Sequence, residues 1–66
     1  MTREEYFCSE YMSSIYYFCL KKTGNENEAE DLAGEISLEI LKALKKGILI
    51  DHFEGFVWKV ARNRYA

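Results

Sequence analysis

No proline occurs anywhere in this 66-residue chain, and the strongest breaks in its pattern are two lysine–glycine stretches, "KKTGN" and "KKGILID". Proline is the residue that a helix interior tolerates least, so its absence leaves long helices free to form between those breaks. Glycine stands at 24, 34, 47 and 55, and Gly24 and Gly47 fall where hydrophobic periodicity stops and restarts. Three periodic segments with two interruptions predict an all-α, compact three-helix domain spanning residues 1–66.

The first helix is expected from about Arg3 to Lys22. Phe7, Tyr11, Ile15 and Phe18 recur at helical spacing, and Cys8, Met12 and Cys19 widen that face toward both neighbours. Lys21 and Lys22 suit its negative C-terminal end, and Gly24 supplies a left-handed cap. The second helix starts at Asn25 or Asn27. Asn25 and Glu28 have capping-box spacing, and Glu26, Glu28, Glu30 and Asp31 crowd the first turns. Ala29, Leu32, Ala33, Ile36, Ile40 and Leu44 form its buried stripe, and Lys45, Lys46 and Gly47 close it. Asp51 is the expected N-cap of the third helix, with Glu54 three residues on and Phe53, Phe56, Val57, Val60 and Ala61 along one face.

Several functional classes lose support at this stage. No apolar run is long enough to cross a bilayer. Cys8 and Cys19 lie eleven residues apart on one helix, about 16 Å at 1.5 Å per residue, too far to bridge. Both are read as ordinary buried thiols in a reducing cytoplasm. His52 is the single histidine, and no Cys/His spacing suits a metal, so neither a metal nor another cofactor is expected. The carboxylates sit at a helix start or on exposed positions, and no glycine loop cradles phosphate; the chain does not read as an enzyme.

Charge is distributed unevenly. Residues 1–40 carry nine acidic and three basic side chains, and residues 41–66 carry two acidic and six basic, which is net −6 against net +4. Such asymmetry fits two different partners, and it also fits helix-dipole preference. Opposite the buried stripe of the second helix lie Asp31, Gly34, Glu35, Leu38 and Lys42, with Leu41 at the edge. These residues suit a docking groove in which Gly34 admits a backbone, Leu38 supplies area and the carboxylates meet cations. They equally suit a solvated acidic face with one stray leucine. On the third helix Trp58, Arg62 and Tyr65, and Lys59, Arg62 and Asn63, turn away from the apolar stripe. Cations beside rings fit single-stranded nucleic acid, since cations meet phosphates, rings stack on bases and Asn bonds a base edge. Trp58 also fits simple packing on the first helix.

The stretch "TGNENEAEDLAGEISLEILKAL" followed by "FEGFVWKVARNRYA" resembles region 2 of the bacterial RNA polymerase sigma factors, specifically the extracytoplasmic-function (group IV) type. The likeness spans about residues 14–66, and its specificity lies in the order T-G-N, A-E-D-L, A-L, then W and A-R-N. It implies a cytoplasmic transcription-initiation module that docks on the clamp helices of the polymerase largest subunit. By position that face is Asp31, Glu35 and Leu38, with Lys42 nearby. The resemblance also implies recognition and melting of the promoter −10 element. Loop Gly47–Asp51 would then help form a pocket for an extruded non-template base, with Lys59, Arg62 and Asn63, and more weakly Trp58, on the strand. An anti-sigma factor is a further partner the family suggests.

The family's usual Gln is Gly34 here, its following aromatic is Ser37, and the inter-helix loop is short. By the same comparison the third helix is expected to be truncated and a C-terminal −35-reading domain to be absent. A different class of function stays open beside this one: a small helical protein-interaction module using the Leu38 face without DNA.

Overall fold

Thr2 opens the first helix, α1 (Arg3–Thr23), in a computed structural model that describes residues 1–65. Its hydroxyl accepts from the Glu5 amide at 3.1 Å, while the Glu5 carboxylate accepts from the Thr2 amide at 2.8 Å. This reciprocal box satisfies two donors that the first turn would otherwise leave unpaired. Gly24 ends α1 at φ 68°, a left-handed cap whose N–H bonds the Leu20 carbonyl at 2.8 Å. The turn is tight because Asn25 at once caps α2 (Glu26–Lys45), its Oδ1 accepting from the Glu28 amide at 3.0 Å. The box expected there is only half formed. The Asn25 amide turns back to the Thr23 hydroxyl at 3.3 Å instead of meeting Glu28.

The helix after the second break, α3 (Phe53–Tyr65), begins one residue later than an Asp51 cap requires. Its first intrahelical bond runs from the Phe56 amide to the His52 carbonyl at 2.9 Å, so His52 holds the capping position. Gly47, at φ 73°, turns the chain out of α2, and residues 48–52 lead into α3 without regular structure.

The central element is α2, which meets α1 along most of its length and α3 over a shorter stretch, while α1 and α3 touch only briefly. Its buried stripe is Ala29, Ala33, Ile36, Ile40 and Leu44. Phe7, Ile15 and Cys19 contribute from α1, and Val57, Val60 and Ala61 from α3. Each fully buried Ile or Phe is worth about 1.5–3 kcal/mol, which matters in a chain whose small size limits its core.

Aromatic side chains join α1 to α3 where the backbones separate. Phe53 lies 5.4 Å from Tyr11, 6.0 Å from Tyr6 and 6.3 Å from Phe7, centroid to centroid. Farther along, Trp58 tilts against Phe18 at 5.7 Å.

The two thiols differ. Cys19 is buried and its thiol is pushed up by burial, whereas Cys8 is exposed, against the expectation that both are core residues. Cys8 follows Phe7, which takes the core position, so its own side chain falls on the rim of α1. A thiol reagent is therefore expected to modify one cysteine per folded chain and two in denaturant. Equal labelling rates at the two positions in the folded state would contradict this assignment.

Candidate functional site

Two surfaces emerge, one on α2 and one on α3 with the loop before it. On α2, Asp31, Gly34, Glu35, Leu38 and Lys42 are all exposed, and Leu38 keeps 54% of its surface free. The i, i+3, i+4 spacing of Asp31, Glu35, Leu38 and Lys42 sets them along one stripe. Leu38 stands between two hollows. One, of about 580 Å³, lies between α1 and α2 and is mostly apolar, with Cys8, Leu38 and Leu41 inside it. Glu4 and Glu5 edge it from α1, and Lys42 and Lys45 edge it from α2. The other, of about 310 Å³, lies toward α3 and is lined by Glu35, Leu38, Glu39, Lys42 and Arg64.

Position 37 is not part of that surface. Ser37 is only 5% exposed and donates to the Met12 sulfur at 3.2 Å. The residue that departs from the family pattern here faces α1, and Met12 occupies space a larger side chain would need. Gly34 is different. It is exposed, it is helical, and a Cβ built on it meets no heavy atom within 4 Å. Nothing in the folded chain requires glycine there, so Gly34→Ala is expected to stabilise the domain by about 1 kcal/mol, read as a rise in the urea midpoint. No rise would mean that the local helix is not regular at this point.

The α3 surface carries Lys59, Arg62 and Asn63. All three are exposed, and among the described residues none hydrogen-bonds or ion-pairs with another side chain. Trp58 is half-buried against Phe18. Tyr65 is exposed but one face of its ring is taken: Lys22 Nζ sits over it, 5.6 Å from the centroid, and 5.7 Å from that of Phe18. The two rings read from sequence as stacking partners thus also clasp α3 to the end of α1.

Before α3, Ile48 and Leu49 project from the loop, Leu49 with 94% of its surface free. Beside them a hollow of about 420 Å³ is lined by Met1, Thr2, Arg3, Tyr6, Ile50 and Phe53. The loop is held by a residue whose role had no signal in the sequence. Arg3 donates to the Leu44 carbonyl at 2.9 Å and to the Ile48 carbonyl at 3.0 Å, closing the C-terminal end of α2 and the first residue beyond its turn with one guanidinium. A cation at the negative end of a helix is favourable, and the forked donor of Arg suits two carbonyls at once.

Arg64 is the second residue that sequence reasoning missed. Its guanidinium lies 3.2 Å from Glu35 and 3.8 Å from Glu39, tying α3 to the exposed face of α2. Glu35, taken from the sequence as an open carboxylate, already has a partner in the same chain.

Among the described residues no group of three or more His, Cys, Asp or Glu side chains is placed to hold a metal ion. Among the described residues no helix is long and apolar enough to cross a membrane. What the geometry defines is an all-α module with an acidic, leucine-centred face on one helix and a cationic face on another. The chain belongs to the Sigma-70 region 2 family, whose model matches residues 7–66. No curated protein and no solved structure matches it. Membership makes this a sigma-factor domain of transcription initiation, a non-enzymatic family whose partners are the RNA polymerase core and promoter DNA.

Proposed function

We propose that the two faces divide those partners between them. The α2 stripe of Asp31, Glu35, Leu38 and Lys42 docks on the clamp helices of the polymerase largest subunit. The α3 face, with Lys59, Arg62 and Asn63, holds the non-template strand of the −10 element as the duplex opens. Trp58 offers a base the part of its ring that Phe18 leaves free. The hollow beside residues 48–52 receives an extruded base, whose unstacking costs a few kcal/mol that the pocket and base-edge hydrogen bonds must offset.

The observation that carries this reading is the separation of the two surfaces by chemistry and by helix. Carboxylates around an exposed Leu38 suit a basic protein surface with an apolar contact. Cations without an internal partner suit phosphates.

The test is a titration of clamp helices with wild type and Glu35→Lys. Charge reversal is expected to weaken binding by about tenfold or more, which is about 1.4 kcal/mol. Unchanged binding would remove Glu35 from the docking face. In parallel, Arg62→Ala should flatten the salt dependence of single-strand binding by about 0.7 in the log–log slope, the loss of one phosphate contact. An unaltered slope would take Arg62 off the strand.

A further inference from the structure

Arg64 belongs by register to the buried side of α3. At about 100° per residue it lies in line with Val57, Val60 and Ala61, and so on the side turned to α2. At the last turn that side emerges from the core, and the Arg64 side chain runs onto α2 to Glu35 and Glu39, which are one helical turn apart. All three side chains are about half exposed, at 44%, 57% and 50%. Lys42 lines the same hollow but makes no ion pair among the described residues, and there Arg64 is the cation these two carboxylates hold. An exposed pair of this kind is weak and exchanges readily.

We propose that Arg64 is an exchangeable internal counter-ion that couples the two faces. A cation of the docking partner takes its place on Glu35 and Glu39, and the released guanidinium adds one positive charge to the end of α3 for a DNA phosphate. The inference deepens the proposed function and rests on its placement of the two partners. Because the same arginine cannot serve both acceptors, the coupling is reciprocal: DNA that captures Arg64 bares the carboxylates for docking.

Two arms test it with the 66-residue chain. In the first, single-stranded −10-type DNA is titrated over a salt series with and without a saturating clamp-helix fragment. For wild type the log–log slope should steepen by about 0.7 on docking, one further phosphate contact. Arg64→Ala should show equal slopes in both conditions, and Arg64→Lys should regain the steepening. Without DNA, Arg64→Ala should bind the fragment up to about fivefold tighter, since its competitor is gone. Equal steepening in wild type and Arg64→Ala, or weaker docking of Arg64→Ala, overturns the proposal.

The second arm needs no docking partner. Glu35→Gln/Glu39→Gln frees Arg64 within the chain and should steepen the DNA slope by about 0.7 more than the same pair of changes does in an Arg64→Ala background. No such difference overturns the coupling. If the wild-type chain never binds the fragment and the two backgrounds still differ, the docking assignment is overturned and the internal counter-ion stands.

Discussion

Phe7→Ala is expected to destabilise the domain by about 3–5 kcal/mol, enough to unfold most molecules if total stability lies at the lower end of what this length supports. A chain of this size holds about 3–10 kcal/mol in all, at 0.05–0.15 kcal/mol per residue. Phe7 is fully buried on α1, its ring stacked 6.1 Å from Tyr11 and edge-on 6.3 Å from Phe53. Truncation removes a large apolar surface and the pairing of aromatic rings, and it opens a cavity at the place where α3 is held to α1. Because Trp58 against Phe18 and Tyr65 against Lys22 also fix α3 on α1, the cavity cannot close by a small shift of either helix.

Phe7→Leu keeps much of the volume and should cost roughly half as much. Tyr17→Ala, on the solvent side of the same helix, should stay within about 0.5 kcal/mol. Urea unfolding followed by far-UV circular dichroism measures all three. A Phe7→Ala midpoint close to that of Tyr17→Ala would show that the aromatic cluster does not hold the domain together.

The helices and their inward faces were legible because local rules and tertiary structure agree on them. Of the stripe Ala29, Leu32, Ala33, Ile36, Ile40 and Leu44, every residue is buried but Leu32, which is half-buried at the margin of the face. Gly24 and Asn25 sit where a left-handed cap and an N-cap are needed, and both serve in those roles. Periodicity reads less well at the margins of a face. Cys8 neighbours a core position and was assigned inward, yet the ring of Phe7 already fills that place. Ser37, noted only as standing where the resembled family carries an aromatic, is buried, and its hydroxyl donates to the Met12 sulfur on the facing helix. At the start of α3 the acidic residue in the expected place, Asp51, is one position short of the cap, which falls on His52.

The candidate site was legible in outline and not in its connections. Exposure of Asp31, Glu35, Leu38, Lys42, Lys59, Arg62 and Asn63 follows from helical register alone. Arg64 and Arg3 act over long sequence separations, 29 residues to Glu35 in one case and 41 residues to Leu44 in the other. No periodicity encodes such a contact. It depends on where two helix ends arrive after folding, and an arginine near a helix terminus looks the same in sequence whether it reaches water or a carbonyl.

The second large effect is therefore placed on Arg3. Arg3→Ala is expected to cost about 1–2 kcal/mol, less than two buried charge-assisted hydrogen bonds would give, because its bond to Ile48 is exposed and its bond to Leu44 only partly buried. The larger consequence is local. Gly47 turns the chain, and the one backbone bond given from residues 48–51 to the end of α2 is the long Ile48 amide to Ala43 carbonyl contact at 3.5 Å, so the guanidinium is the stronger tie between this loop and α2. Without it the loop should open at lower free energy than the helices, which backbone amide exchange at residues 48–51 would register as lost protection while the α2 centre stays protected.

If an extruded base is held beside this loop, single-strand affinity should fall by more than the global stability loss explains, and docking through Leu38 should be unaffected. Arg3→Lys should lie between, since an ammonium can meet one carbonyl well but lacks the planar fork that spans both. An Arg3→Ala chain with an unchanged urea midpoint and unchanged protection over 48–51 would show that the loop holds its shape by its own apolar contacts, chiefly Ile50 against the core. The Arg3 bond to the carbonyl of Ile48, forty-five residues away, would then be incidental to the shape of this loop.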